Sequence, residues 1–210
     1  RLGVALVKHY VGLGHHVLAL TRRVSDELRD VTSNLLHIIE VDYSSNDSIG
    51  NAIIEIKKKT EALSILVHNA SFYEIDQAIG LTTSEVYSRM FQVHMQMPML
   101  LNEGLADLLR NSQGAHIVAL SDIYVERPLA DRAMYCSTKA GWEVLTKSYA
   151  KKLAPLVRCN VLQLGPVEFP VSHSEEYRLQ VSRETLLAAG PGFWPVIQAM
   201  DFLSANAFIT

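Results

Sequence analysis

The sequence predicts an α/β fold, a Rossmann-type doubly wound parallel sheet with helices on both faces. Three observations predict it. Short apolar runs alternate with amphipathic stretches along the chain. The runs are continuous rather than alternating, as strands buried on both faces are. Polar punctuation falls at their carboxyl ends, where open parallel sheets bind ligands.

Residues 2–11 place Leu2, Leu6 and Tyr10 on one stripe and stop at Gly12, which predicts a helix. Residues 16–20 form a strand after a Gly-Leu-Gly-His turn and run out into Thr21-Arg22-Arg23. Residues 36–41 form a second strand ending at Asp42-Tyr43. Residues 48–60 carry Ile49, Ala52, Ile53 and Ile56 on one face, and Lys57-Lys58-Lys59 suits a helix C-terminus. A third strand, 65–67, leads into His68-Asn69-Ala70-Ser71. Residues 84–109 read as one long helix containing Pro98. Strand 115–120 ends at Ser121-Asp122, helix 135–153 ends at Ala154-Pro155, and strand 158–164 ends at Gly165-Pro166. Residues 167–195 mix Pro, Gly, Ser and charges without a period, which suits a mobile substrate lid or a plain surface loop. No repeat or linker divides the chain, so residues 1–210 are expected to be a single dinucleotide-binding domain. A doubly wound domain opens on a strand, and this chain opens on a helix. The expectation is that the first strand is missing from the sequence and that both ends are cut.

Composition narrows the function. Of 210 residues, 49% are hydrophobic and 20% charged, which supports a packed core and excludes a disordered chain. A formal net charge of −3 offers no basic surface for nucleic acid or an anionic membrane. No apolar run approaches the ~20 residues of a membrane span. Cys136 and Cys159 are the two cysteines, in no metal or redox spacing, so a reducing cytoplasm is the expected compartment and no metal is expected. Cys136 could be oxidisable if exposed, but a small buried side chain is the simpler role. His9, His15, His16, His37, His116 and His173 show no metal-ligand spacing and read as surface or capped residues.

The chemistry centres on Tyr135-Cys136-Ser137-Thr138-Lys139. A tyrosine and a lysine four apart share one helix face. A free phenol has a pKa of ~10, and a nearby ammonium is expected to pull it toward neutrality, making an acid–base group. Alone the spacing is common on helix surfaces. Here Asp122 stands thirteen positions earlier at a strand end, Asn69-Ala70 ends the strand before that, and Pro166 follows the strand after the helix.

This ordered set resembles the short-chain dehydrogenase/reductase family, over essentially the whole chain. Aspartate at position 122, where the family usually has serine, resembles its pteridine reductase branch. Ser121 would return to the serine role only with a slipped register. Arg1-Leu2-Gly3 looks like the end of that branch's Thr-Gly-x-x-x-Arg-x-Gly turn. His68-Asn69-Ala70-Ser71, Ser121 to Arg127 and Ala150 to Pro155 are similar to bacterial pterin reductases that act on dihydromonapterin. The family commonly has asparagine at His68, and this branch shares the histidine.

The resemblance implies NADPH-dependent reduction of a 7,8-dihydropterin, of the dihydromonapterin or dihydrofolate kind, to the tetrahydro form. It implies Tyr135, Lys139 and Asp122 as catalytic residues, Tyr135 giving the proton and Lys139 holding the nicotinamide ribose. It implies cofactor contacts from Arg1, Gly3, Arg22, Asp42, Asn69, Ala70, Tyr135, Lys139 and Pro166. Gly3 would let the helix start approach the pyrophosphate, with Arg1 beside it. Arg22 in place of an acidic residue suits the 2′-phosphate of NADP, whereas Arg23 reads better as a solvated turn. Asp42 would meet the adenine or else belong to the start of the next helix, where Ser44, Ser45 or Asp47 could also cap. Tyr73, Ser71 and Asp122 would bind the pterin, Tyr73 by stacking, with Phe72 the alternative in a slipped register. His94 stands where the family has an asparagine that orders a water beneath the lysine, partly through a main-chain kink. Val167 replaces the family's glycine after Pro166. Both departures put the relay and the nicotinamide loop in question.

The resemblance also implies a homodimer or homotetramer, its seam on helices 84–109 and 135–153, where Trp142, Leu145 and Tyr149 serve either the seam or the core. The alternative functions are a carbonyl reductase of the same family, for a 3-oxoacyl or sugar substrate, and a catalytically weak dinucleotide-binding regulator.

Overall fold

A computed structural model describes residues 1–169, 174–184 and 192–210. The order of elements is α1 (Leu2–Gly12), β1 (Val17–Thr21), α2 (Asp26–Arg29), β2 (Leu36–Glu40), α3 (Asn46–Lys59), β3 (Ile65–His68) and α4 (Thr83–Phe91). There follow a π turn (Gln92–Gln96), α5 (Met97–Gly104), α6 (Ala106–Arg110), β4 (Ala115–Asp122), a 3-10 turn (Ile123–Val125), α7 (Ala133–Leu153), β5 (Val157–Leu164), α8 (Glu175–Glu184) and α9 (Trp194–Ala205). Every strand pair is parallel. β1 pairs with β2 from Val17 opposite Leu36 to Thr21 opposite Glu40. β3 and β5 flank β4, with Ile65 opposite His116 and Ala115 opposite Val157. The strands thus form a pair, β1-β2, and a triplet, β3-β4-β5.

Each crossover is helical, and the core lies on both faces of the strands. Ile117 and Val118 are consecutive on β4 and therefore point to opposite faces. Ile117 packs with Leu109, Tyr149 and Leu153 under α6 and α7, whereas Val118 packs with Leu2, Leu6, Ile197 and Met200 under α1 and α9. A third cluster joins Ile39 and Val41 to Ile49, Ile56 and Leu101 of α3 and α5. Fully burying each such aliphatic side chain contributes about 1.5–3 kcal/mol. Trp142 and Tyr149 are buried within this chain and belong to its core.

Two parts differ from the sequence expectation. Residues 84–109 are three helices and a π turn rather than one helix. Pro98 has no N–H to give the carbonyl of His94, four residues back, and the chain widens at 92–96. The helix start is encoded locally, because Thr82 and Glu85 form a capping box. The 167–195 stretch, read as lid or loop, contains α8 and the first two residues of α9, while 170–173 and 185–191, with His173, lie outside the described residues.

Candidate active site

The carboxyl end of β4 delivers Asp122 to the first turn of α7. The Tyr135 hydroxyl donates to Asp122 Oδ2 at 2.7 Å. The other oxygen, Oδ1, accepts from the Tyr124 amide at 2.9 Å, so the 3-10 turn fixes the carboxylate's orientation. Ser121 points elsewhere and is buried, without a partner for its hydroxyl among the described residues. Asp122, not Ser121, is therefore the β4 residue that meets Tyr135.

One turn along α7, Lys139 is buried with its ammonium 5.8 Å from the Tyr135 ring centroid. Its Nζ donates to the Leu120 carbonyl at 3.0 Å. Burial lowers its pKa to about 8, opposed by the carboxylates of Asp122 and Glu143. The tyrosine does not follow the expectation of a phenol drawn toward neutrality. Burial raises the Tyr135 pKa well above the ordinary value, and the charge and hydrogen bond of Asp122 raise it further. A carboxylate in contact with the phenolic oxygen outweighs an ammonium bonded to a backbone carbonyl. Tyr135 is thus a neutral O–H donor at neutral pH, held only weakly toward the phenolate by Ser71.

The loop after β3 forms the facing wall. Tyr73 is half exposed and meets the Tyr135 ring edge-on at 4.8 Å between centroids. The Arg132 guanidinium lies 4.8 Å above the Tyr73 ring. Phe72 instead packs into a core cluster with Val86 and Met90, so Tyr73 is the aromatic left at the site. The loop is anchored at both ends. Ser71 Oγ and the Phe72 amide lie 3.0 and 3.1 Å from His94 Nε2. Asp76 accepts from the first amides of α7, Ala133 at 2.8 Å and Met134 at 3.1 Å. His94 Nδ1 reaches Thr138 Oγ1 at 2.9 Å. Burial, with Lys139 nearby, lowers the His94 pKa to about 3. The main chain at His94 is the π turn of Gln92–Gln96.

On the other side of the strand ends, the start of α1 approaches Asn69. A Cβ on Gly3 would stand 3.0 Å from Asn69 Nδ2, close enough that the Asn69 side chain would have to shift. Arg1 is exposed at the N-cap of α1. Arg22 is exposed after β1; hydrogen bonds from Ser44 lower the Asp42 pKa and burial raises that of Tyr43 to about 12, with the Arg22 charge a smaller lowering influence on both. Asp42 is occupied locally: its carboxylate accepts from the Ser44 hydroxyl at 2.6 Å and amide at 2.9 Å. The cap of α3 is Ser45, not Asp42. Ala70 packs against the core, Pro166 is exposed beyond β5, and Val167 packs against the Leu2–Leu6 cluster. His68 is buried, bonded to Asn102 Oδ1 at 2.8 Å, so its imidazole serves the interior.

The structure therefore brings together Tyr135, Lys139, Asp122, Ser71 and Tyr73, and separately Gly3 with Asn69. It adds residues that sequence reasoning missed. Thr138, Arg132 and Glu143 lie three residues after Tyr135, three before it, and four after Lys139. Helical spacing alone could have marked Thr138 and Glu143. Glu143 is buried and accepts from Gln163 Nε2 at 3.0 and 3.2 Å. Among the described residues, no three His, Cys, Asp or Glu side chains are grouped to hold a metal ion, and no helix is long and apolar enough to cross a membrane.

Comparison with known proteins places this geometry. Residues 2–179 match the family profile described as short chain dehydrogenase. The chain is 31% identical over 212 aligned positions to dihydromonapterin reductase of Escherichia coli (strain K12), covering 100% of this chain and 88% of that protein. Among solved structures, alternative dihydrofolate reductase 1 (FolM) from Brucella canis, complexed with NADP, superposes with a TM-score of 0.88 at 21% identity, covering 100% of this chain and 85% of that one. A short chain dehydrogenase from Leptospira borgpetersenii with bound NAD+ gives 0.87 at 20% identity, covering 100% and 84%. At these identities the structural matches speak to the fold.

Proposed function

Since the chain belongs to the short-chain dehydrogenase/reductase family, and is an oxidoreductase of it, we propose that it reduces a 7,8-dihydropterin to the tetrahydro form with NADPH. The observation that carries this reading is the 2.7 Å hydrogen bond from Tyr135 to Asp122. A carboxylate here, rather than a hydroxyl, suits the donor-rich amino-pyrimidine edge of a pterin. The E. coli relative's activity supports the same substrate class.

The residues fit a dinucleotide. Gly3 lets the start of α1 lie close to Asn69, and the first amides of α1 would hold a pyrophosphate there. Arg22, exposed after β1, would pair with a 2′-phosphate, and this supports NADPH over NADH. Arg1, Asn69, Ala70 and Pro166 would line the same groove. Asp42 would act through its Ser44-bound turn rather than as a free carboxylate. The bound nicotinamide supplies the hydride. Lys139 would hold the ribose hydroxyls and offset negative charge beside Tyr135. Tyr135, kept protonated by burial and Asp122, would deliver the accompanying proton. Tyr73 and Ser71 would form the wall against which the flat pterin lies.

The exposed apolar side chains Tyr87, Phe91, Met99 and Val144 lie on the α4–α5 and α7 segments. We read them as the seam of a homodimer or homotetramer, while Trp142 and Tyr149 serve the core. Two buried free cysteines accord with a cytoplasmic setting. The deciding experiment is NADPH oxidation against a panel of dihydropterins, ketones and sugars. Turnover confined to dihydropterins is expected. Preferential turnover of ketones or sugars would make the protein a carbonyl reductase, and NADPH binding without turnover a regulator.

A further inference from the structure

We propose that His94 is a positioning residue: a neutral imidazole that, in one fixed tautomer, staples the Ser71–Tyr73 wall to α7 and so sets the gap between Tyr73 and Tyr135. This rests on the reductase reading for its catalytic consequence, but the tautomer does not. The Phe72 amide can only donate, so Nε2 must carry a lone pair. Nδ1 then carries the proton and donates to Thr138 Oγ1, which donates in turn to the Tyr135 carbonyl at 3.0 Å. One ring therefore joins the loop amide on one side to the backbone of the proton donor on the other. The ring also stands edge-on to the Tyr135 ring, 5.5 Å between centroids. Only 2% of it is exposed, and both nitrogens are engaged.

Two features make this a clamp rather than a core filler. First, the π turn places His94 between the loop and α7. Second, the loop's other end is held independently by Asp76 on the α7 amides. Tyr73 lies between the two anchors, so releasing His94 frees one side of the wall while the other stays fixed. Ser71 gains a further use. Because Nε2 is already occupied by the Phe72 amide, the Ser71 hydroxyl can turn toward the Tyr135 oxygen as that oxygen loses its proton.

The test has two arms. In the first, NMR of the protein carrying ¹⁵N-labelled histidine, with the His94 signals assigned by their loss in His94→Gln, should show one imidazole protonated at Nδ1 and neutral from pH 8 to pH 5. Titration of that ring near the ordinary histidine value, or protonation at Nε2, would overturn the clamp. In the second, His94→Phe keeps the shape and removes both nitrogens. It should lower kcat ~10-fold or more and raise the dihydropterin KM, with NADPH affinity within about twofold. His94→Gln, which retains a donor and an acceptor, should recover part of kcat. Unchanged kcat and KM in a folded His94→Phe would refute the proposal. So would a parallel fall of kcat, NADPH affinity and Tm with no recovery in His94→Gln, which marks a merely structural residue. If the wild-type protein turns over no dihydropterin, the reductase reading fails and the NMR arm alone decides the clamp.

Discussion

Tyr135 and Asp122 are thirteen residues apart in sequence and share one hydrogen bond at 2.7 Å, which sets the protonation of the site. The phenol is the donor and the carboxylate the acceptor, so the pair holds its proton on Tyr135 through neutral pH. Replacing Tyr135 with Phe removes that proton with little change of shape. Turnover should fall by roughly 10²–10⁴. NADPH binding, read by quenching of Trp fluorescence, should persist, and a Tyr135→Phe enzyme with wild-type kcat would end the proposed mechanism.

Asp122→Asn keeps an oxygen for the Tyr124 amide but removes the charge that raises the Tyr135 pKa. The phenol should ionise at lower pH than in the wild type, visible as a downward shift of the ultraviolet tyrosinate transition. Dihydropterin turnover should drop ~10-fold or more. An unshifted phenol transition would mean that burial alone controls it.

Arg22 is exposed and free to meet an anion at the end of β1. Charge-assisted hydrogen bonds contribute roughly 1.5–3 kcal/mol, so Arg22→Ala should weaken NADPH binding about 10- to 100-fold while leaving NADH nearly unchanged. Titrating both cofactors by fluorescence checks it; equal losses for both would remove Arg22 from the phosphate site.

Three buried histidines make the fold acid-sensitive. Burial lowers His68 and His116 to about 4 and His94 to about 3, below the ordinary value of 6.5. Between those values and 6.5 the unfolded chain binds more protons than the folded one. Stability is therefore fully present above pH 6.5 and is lost as pH falls, at up to about 1.4 kcal/mol per pH unit for each histidine. Urea midpoints measured from pH 7 to pH 5 should decline, and His116→Gln should flatten the decline. A flat profile would place these rings in water.

Lys139 acts in the same sense over a higher pH range. Its folded pKa of about 8 lies below the ordinary 10.5, so carrying its charge at neutral pH costs stability, and the cost vanishes as pH rises between those values. Lys139→Met should raise Tm by a few degrees at pH 7 and abolish turnover. A lower Tm would show that the bond to the Leu120 carbonyl outweighs the burial of charge.

Much of this was readable in the residues, for physical reasons. Strands buried on both faces write themselves as continuous apolar runs, which is why β1 to β5 fall within a residue or two of expectation. Helix periodicity made Tyr135 and Lys139 legible as neighbours, while Asp122 was joined to them only through the resemblance of the ordered motif. What was hidden depended on contacts between distant segments. The sign of the Tyr135 shift turns on which charge touches the phenol, and spacing is silent on that. The π turn replaces a helix that periodicity joins smoothly, because the widening follows from Pro98 and His94 rather than from any apolar pattern. His94's partners lie 22 to 44 residues away. Asp42 was open between an adenine contact and the start of the next helix; its carboxylate bonds Ser44, and Ser45 takes the cap of α3, which no apolar pattern foretells.

The double anchorage of the wall has a further consequence for engineering. His94 and Asp76 fasten it through residues 71, 72 and 76, and Ile75 packs into the Val86–Met90–Tyr135 cluster, which leaves Tyr73 and Glu74 as the exchangeable pair between two fixed points. Libraries confined to those two positions can re-tailor the accepted ring system while the fastening of the wall to α7 is kept.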